Sequence, residues 1–118
     1  MPTQLLQLTF NPGLSGPVPS EIGRLHHLRQ LYAWNTSFTG PLPTALSALA
    51  SLQALDLTDN MLTGALPPEL TGLAKVNTFY LDGNPGLECP LPEGVQRWLD
   101  ANVSFNAVCV PNATQVVW

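Results

Sequence analysis

Charge is scarce in this sequence. Asp, Glu, Lys and Arg make up only 10% of its 118 residues, against about 25% in ordinary domains. The surface must therefore be built largely from Thr, Ser, Asn, Gln and small apolar side chains, and a hydroxyl-rich surface suits an extracellular setting. Basic residues are the scarcest. Four Lys plus Arg against eight Asp plus Glu leave a net charge of -4. Without a basic stripe to displace counterions, nucleic acid is excluded as a partner. No apolar run reaches about 18 residues, so no membrane span is expected. The N-terminal MPTQLLQLTF has no basic stretch leading into an apolar core, so it is not a secretion signal. Met1 is followed at once by repeat sequence, which reads as a piece of a longer chain whose signal is removed or lies elsewhere.

Chemistry is missing too. The chain has no G-x-S-x-G nucleophile motif, no phosphate loop and no acid/base pair, and its two cysteines lack zinc spacing. His26 and His27, between Leu25 and Leu28, read as solvated surface residues with no third ligand in view. The expectation is a non-enzyme without metal or cofactor.

What the chain does have is repetition. Aligned on Pro19, Pro43, Pro67 and Pro92, four copies recur at intervals of 24, 24 and 25 residues: LLQLTFNPGLSGPVPSEIGRL, LYAWNTSFTGPLPTALSAL, LDLTDNMLTGALPPELTGL and FYLDGNPGLECPLPEGVQRW. Of the 12 prolines, Pro17, Pro19, Pro41, Pro43, Pro67, Pro68, Pro90 and Pro92 fall in one repeat slot, so they mark periodic structure and not disorder. A 45% hydrophobic composition over 118 residues is enough for one domain with a core.

Within each copy two apolar residues flank one polar position, at Leu6/Leu8, Leu31/Ala33, Leu55/Leu57 and Phe79/Leu81. That is the two-residue period of a strand, with the apolar pair pointing into the coil. Successive strands would pair in parallel, because each connection is a full repeat long. Short 3₁₀-like turns are expected opposite, around Leu25/Leu28, Leu49/Leu52 and Leu73/Val76. After Pro92, Val95, Trp98 and Leu99 have helical spacing, predicting a short amphipathic helix over the end of the coil.

The period and the order of Leu, Asn, Gly and Pro resemble the plant-specific leucine-rich repeat, L-x-x-L-x-x-L-x-L-x-x-N-x-L-x-G-x-I-P-x-x-L-x-x-L, over Leu5 to Trp98. The resemblance implies an α/β solenoid. It would be a right-handed coil with a short parallel sheet on its concave face and 3₁₀ or short helical turns on its convex face. Residues 1–98 would be four repeats and 99–118 a C-terminal capping segment. Asn11, Asn60 and Asn84 match the family's buried Asn ladder, with Thr36 as a slightly weaker rung.

Counting 17 residues from each aligned proline reaches Thr36, Asn60, Asn84 and then Cys109, the ladder position of a vestigial fifth coil, while Cys89 replaces the repeat Gly of the fourth. A Cys89–Cys109 disulfide is expected, constraining the unfolded chain by roughly 3 kcal/mol. The alternative is a pair of buried free thiols. Disulfides persist in oxidising compartments, and the sequons at Asn35, Asn102 and Asn112 agree with a secreted or cell-surface glycoprotein.

The outward strand positions and their neighbours are Gln7, Thr9 and Phe10; Gln30, Tyr32, Trp34 and Asn35; Gln53, Asp56, Thr58 and Asp59; and Thr78, Tyr80 and Asp82. Aromatic side chains with no core to enter, beside carboxylates, indicate a binding surface. The candidate ligand-binding residues are Tyr32, Trp34, Asp56, Thr58, Asp59, Tyr80 and Asp82. The alternative for Trp34 is that it covers Phe10. Four strands give on the order of 250 Å², well below the ~800 Å² per partner of a standard protein interface, so the ligand should be a peptide, a protein loop or a carbohydrate. The alternative function is a structural or ice-binding surface, built on the row Ser15, Thr39, Thr63 and Glu88. The first coil lacks a cap and should pair with another copy or fray.

Overall fold

The computed structural model describes residues 4–8, 13, 15–88, 90–102 and 104–105. Each coil opens with one strand and turns past the ladder position into a second, and the first three return through a five-residue 3₁₀ turn. The first coil contains β1 (Leu5–Gln7), β2 (Gly16–Pro17) and the turn Ser20–Arg24. The second contains β3 (Gln30–Tyr32), β4 (Phe38–Gly40) and the turn Thr44–Ala48. The third contains β5 (Ala54–Asp56), β6 (Met61–Gly64) and the turn Pro68–Gly72. In the fourth, β7 (Thr78–Tyr80) and β8 (Gly86–Leu87) are followed by the α-helix α1 (Glu93–Asn102), and β9 (Ser104–Phe105) comes after it.

The expected parallel sheet is present, in the order β1-β3-β5-β7-β9. Its register aligns Leu6, Leu31, Leu55 and Phe79, the inward residues of four successive coils. The fifth strand comes from the vestigial coil, with Phe105 opposite Phe79. Leu31, Ala33, Leu55, Leu57, Phe79 and Leu81 are all buried. The ladder continues beyond the strands: the Ala33 and Leu57 amides donate to the carbonyls of Asp56 and Tyr80, each at 2.8 Å.

Two features differ from the sequence expectation. A second parallel sheet, β2-β4-β6-β8, stacks behind the ladder. Its strands are too short to show alternation, and Thr39 pairs with Met61, not with its repeat equivalent Thr63, so successive strands shear by two residues. The 3₁₀ turns also lie upstream of the expected leucines. Pro19, Pro43 and Pro67 sit extended at the N-caps. The prolines' carbonyls accept from the Ile22, Leu46 and Leu70 amides, each at 3.1 Å, so the turn starts at once. Leu25, Leu49 and Leu73 cap these turns. Leu28 and Leu52 then close further single turns, their amides bonding to the Leu25 and Leu49 carbonyls.

The ladder is as expected at Asn60 and Asn84. Asn60 Oδ1 accepts from the Thr36, Ser37 and Phe38 amides at 3.2, 2.9 and 2.9 Å, and its Nδ2 donates to the Ala33 and Leu57 carbonyls at 2.8 and 3.0 Å. One side chain thereby stitches two coils and leaves no buried amide atom unmatched. Asn84 repeats this toward the third coil, accepting from the Leu62 amide and donating to the Leu57 and Leu81 carbonyls. Thr36 is fully buried, and its hydroxyl donates to the Ala33 carbonyl.

The end helix forms where its spacing predicts, burying Val95, Trp98 and Leu99. Trp98 meets Phe79 edge-to-face at 5.5 Å between ring centroids. At the other end the first coil is open among the described residues, with an apolar cavity of about 570 Å³ lined by Leu6, Leu8, Val18, Ile22 and Leu25. The expectations for Thr9, Phe10, Asn11, Cys89, Cys109 and Asn112 fall outside the described residues.

Candidate functional site

The parallel register sets the site. Because Leu31/Ala33, Leu55/Leu57 and Phe79/Leu81 point into the coil, the residues between them point out. Gln7, Tyr32, Asp56 and Tyr80 are opposite one another in adjoining strands, about 4.7–4.9 Å apart per coil. The next outward positions are Trp34, Thr58 and Asp82. Tyr32, Trp34, Asp56, Thr58 and Tyr80 are half-buried, while Asp59 and Asp82 are exposed. All seven candidate ligand-binding residues therefore share the outer face or the C-terminal rim of one sheet. In the row before them the structure departs from expectation. Gln30 is opposite Ala54, and Ala54 in turn is opposite Thr78, so Gln53 lies one residue ahead of the outward position.

Tyr32 and Trp34 support each other, edge-to-face at 6.0 Å and 60°. The covering of Phe10 by Trp34 falls outside the described residues. The Asp56 carboxylate is not free to swing, since its Oδ1 accepts the Thr58 amide at 3.0 Å. That bond pins one oxygen of a carboxylate whose strand lies between those of Tyr32 and Tyr80.

The rim has its own backbone rule. Asn35, Asp59 and Gly83 are equivalent residues with φ of 57°, 57° and 77°. Left-handed backbone is tolerated by Asn and Asp, and is costless only for Gly. At Gly83 a Cβ would stand 1.9 Å from Asp59 Oδ1, so the bare backbone makes room for the carboxylate of the coil before it. The recurrence of Asn, Asp and Gly in one slot is the sequence signal that would have revealed this requirement. The amides of Asn35 and Asp59 bond to the Thr58 and Asp82 carbonyls at 2.9 and 2.8 Å. Asn35 is exposed, and the hydroxyl-bearing third residue of its sequon, Ser37, has φ of 101°. Asn102 is the last residue of α1.

The opposite sheet provides a contrast. Thr39 is flanked in register by Pro17 and Met61, and Met61 is 54% exposed. The hydroxyls of Ser15, Thr39 and Thr63 therefore follow a sheared diagonal interrupted by an apolar side chain.

A family model described as Leucine Rich Repeat matches residues 51–73. Among solved structures, the chain is 34% identical to a chain in the complex of the Arabidopsis receptor kinase HAESA with the peptide hormone IDA and the co-receptor SERK1. It superposes with a TM-score of 0.79 over 88% of its own length and 17% of that chain. A chain of the BIR3–SERK2 complex from Arabidopsis thaliana is 30% identical, with a TM-score of 0.73 over 93% of this chain and 58% of that one. A plant ice-binding protein is also 30% identical, with a TM-score of 0.78 over 90% of this chain and 34% of that one. The chain thus spans less than two thirds of each of these proteins. A comparison with curated protein sequences finds no match.

Proposed function

Since the chain belongs to the leucine-rich repeat family in its plant-specific form, we propose that it is an extracellular recognition module. It binds a peptide, a protein loop or a carbohydrate through the outer face of its five-stranded sheet. The observation that carries this reading is the in-register assembly of Tyr32, Asp56 and Tyr80, with Trp34 and Thr58 beside them, on a face that the core has no use for. The similarity to a receptor kinase solved with a peptide hormone favours a peptide over a carbohydrate. A fifth strand widens the face to about 19 Å across, which suits a short extended segment and still falls below a full protein interface.

The test is a peptide-binding screen with wild type, Trp34→Ala, Asp56→Ala and, on the opposite sheet, Thr63→Ala. Loss in the first two variants and retention in the third is expected; equal binding by all four would remove the reading. Mapping of glycans on protein from a eukaryotic host belongs with it. The proposed face requires Asn35 to be largely unmodified, because a glycan on that rim would stand over Trp34.

The similarity to a plant ice-binding protein supports a second reading, an ice-binding or structural role for the hydroxyl-bearing sheet. Thermal hysteresis that disappears in Thr39→Leu or Thr63→Leu would establish it. The expected disulfide is read from the intact mass with and without reductant, which would differ by two hydrogens per Cys89–Cys109 bond. At the other end, the open apolar cavity supports self-association or fraying of the first coil. A monomer by light scattering with strong hydrogen-exchange protection over residues 5–8 would contradict both.

A further inference from the structure

The geometry points to a seat for one basic side chain, arginine by preference, with Asp56 as its counter-charge and the rings of Tyr32 and Tyr80 as its two walls. This deepens the concave-face reading above and rests on it. Tyr32, Asp56 and Tyr80 are successive members of one outward row. A cation above Asp56 would therefore lie about 4.7–4.9 Å from each tyrosine row, inside the ~6 Å at which a ring face attracts a cation. Among the described residues neither tyrosine hydroxyl has a hydrogen-bond partner, and both side chains are half-buried. Trp34 braces Tyr32 from the side, which limits how far that wall can turn.

The carboxylate is preorganised as well. The Thr58 amide holds Oδ1 of Asp56 at 3.0 Å, so less side-chain entropy is lost when the other oxygen takes a ligand. No Lys or Arg occupies the rows formed by Gln7, Tyr32, Asp56 and Tyr80 or by Trp34, Thr58 and Asp82. Among the described residues Asp56 has no ion pair, so its charge is left for a ligand to balance. A planar guanidinium can lie against a ring while directing its N–H groups to a carboxylate, whereas a lysine ammonium offers only a point charge.

To test this, the 118-residue chain is panned against a random seven-residue peptide library displayed on phage, and the recovered peptides are resynthesised and titrated. Arginine should recur at one position. Exchanging that arginine for citrulline, or Asp56 for Asn in the protein, should each raise Kd about tenfold, with lysine intermediate. Asp56→Asn keeps an oxygen for the Thr58 amide, so its melting temperature should stay at the wild-type value. Recovered peptides without a recurrent basic residue, or with affinities indifferent to Asp56→Asn, would overturn the arginine seat. If those peptides still lose binding on Trp34→Ala, the concave-face reading stands without it. Recovery of no peptide, or binding indifferent to Trp34→Ala as well, overturns both.

Discussion

The first and third coils carry nearly the same sequence pattern and hold very different environments. In the third, Leu55, Leu57, Leu62, Leu66, Leu70 and Leu73 are all buried to within 1% of full exclusion, because a coil lies on either side. In the first, Leu6, Leu8 and Leu25 are only partly buried against the core, Leu5 is 48% exposed, and the described residues leave a cavity of about 570 Å³. A solenoid repeat cannot enclose its own interior, so an identical leucine is a core residue or a surface residue according to its neighbours.

The sharpest way to break this comparison is to truncate equivalent leucines. Leu55→Ala or Leu57→Ala should cost about 2–5 kcal/mol, because a narrow coil held from both sides cannot collapse into the space. Leu6→Ala should cost about 1 kcal/mol, since part of the transfer energy is already unrealised and no sealed cavity forms. Urea denaturation midpoints measure both, and equal losses would show that the first coil is sealed in solution.

The ladder offers the next contrast. Asn60→Ala leaves several buried amides and carbonyls unmatched across two coils and should cost at least about 3 kcal/mol. Thr36→Ala removes one hydroxyl bond to the Ala33 carbonyl, which still accepts from Asn60, and should cost about 1 kcal/mol. Denaturation of the two variants would reveal comparable losses if the Thr rung were as strong as the Asn rung.

Smaller effects sit at the rim. Gly83→Ala places a methyl against Asp59 Oδ1 on a backbone at φ 77° and should lower stability by about 1–2 kcal/mol. Asp59→Gly should return part of that loss in the double variant, and additive effects in a thermal melt would contradict the contact. The smallest change expected is a gain. Ser37→Gly relieves a φ of 101° and should stabilise by up to about 1 kcal/mol, offset by the larger freedom of glycine in the unfolded chain. The same variant deletes the sequon at Asn35, so its mass from a eukaryotic host reports directly on occupancy.

Much of the architecture was determined by sequence alone, because it follows from spacing. Apolar residues two apart, repeated every 24 or 25 positions, place Leu31, Leu55 and Phe79 in one inward row and Tyr32, Asp56 and Tyr80 in one outward row. Proline in one slot of every copy and Asn60 and Asn84 at the ladder position required only counting, and helical spacing was enough for Val95, Trp98 and Leu99. Tertiary structure alone decided what depends on contact between coils. The second sheet has strands of two to four residues, too short for any period, and its two-residue shear arises from how neighbouring turns stack. The burial of Leu6 against that of Leu55 is set by what lies beside each coil. Whether Asp56 is a loose surface charge or a pinned carboxylate between two rings depends on the Thr58 amide and on strands 24 residues away on either side, relations that a linear pattern can imply and only packing can make.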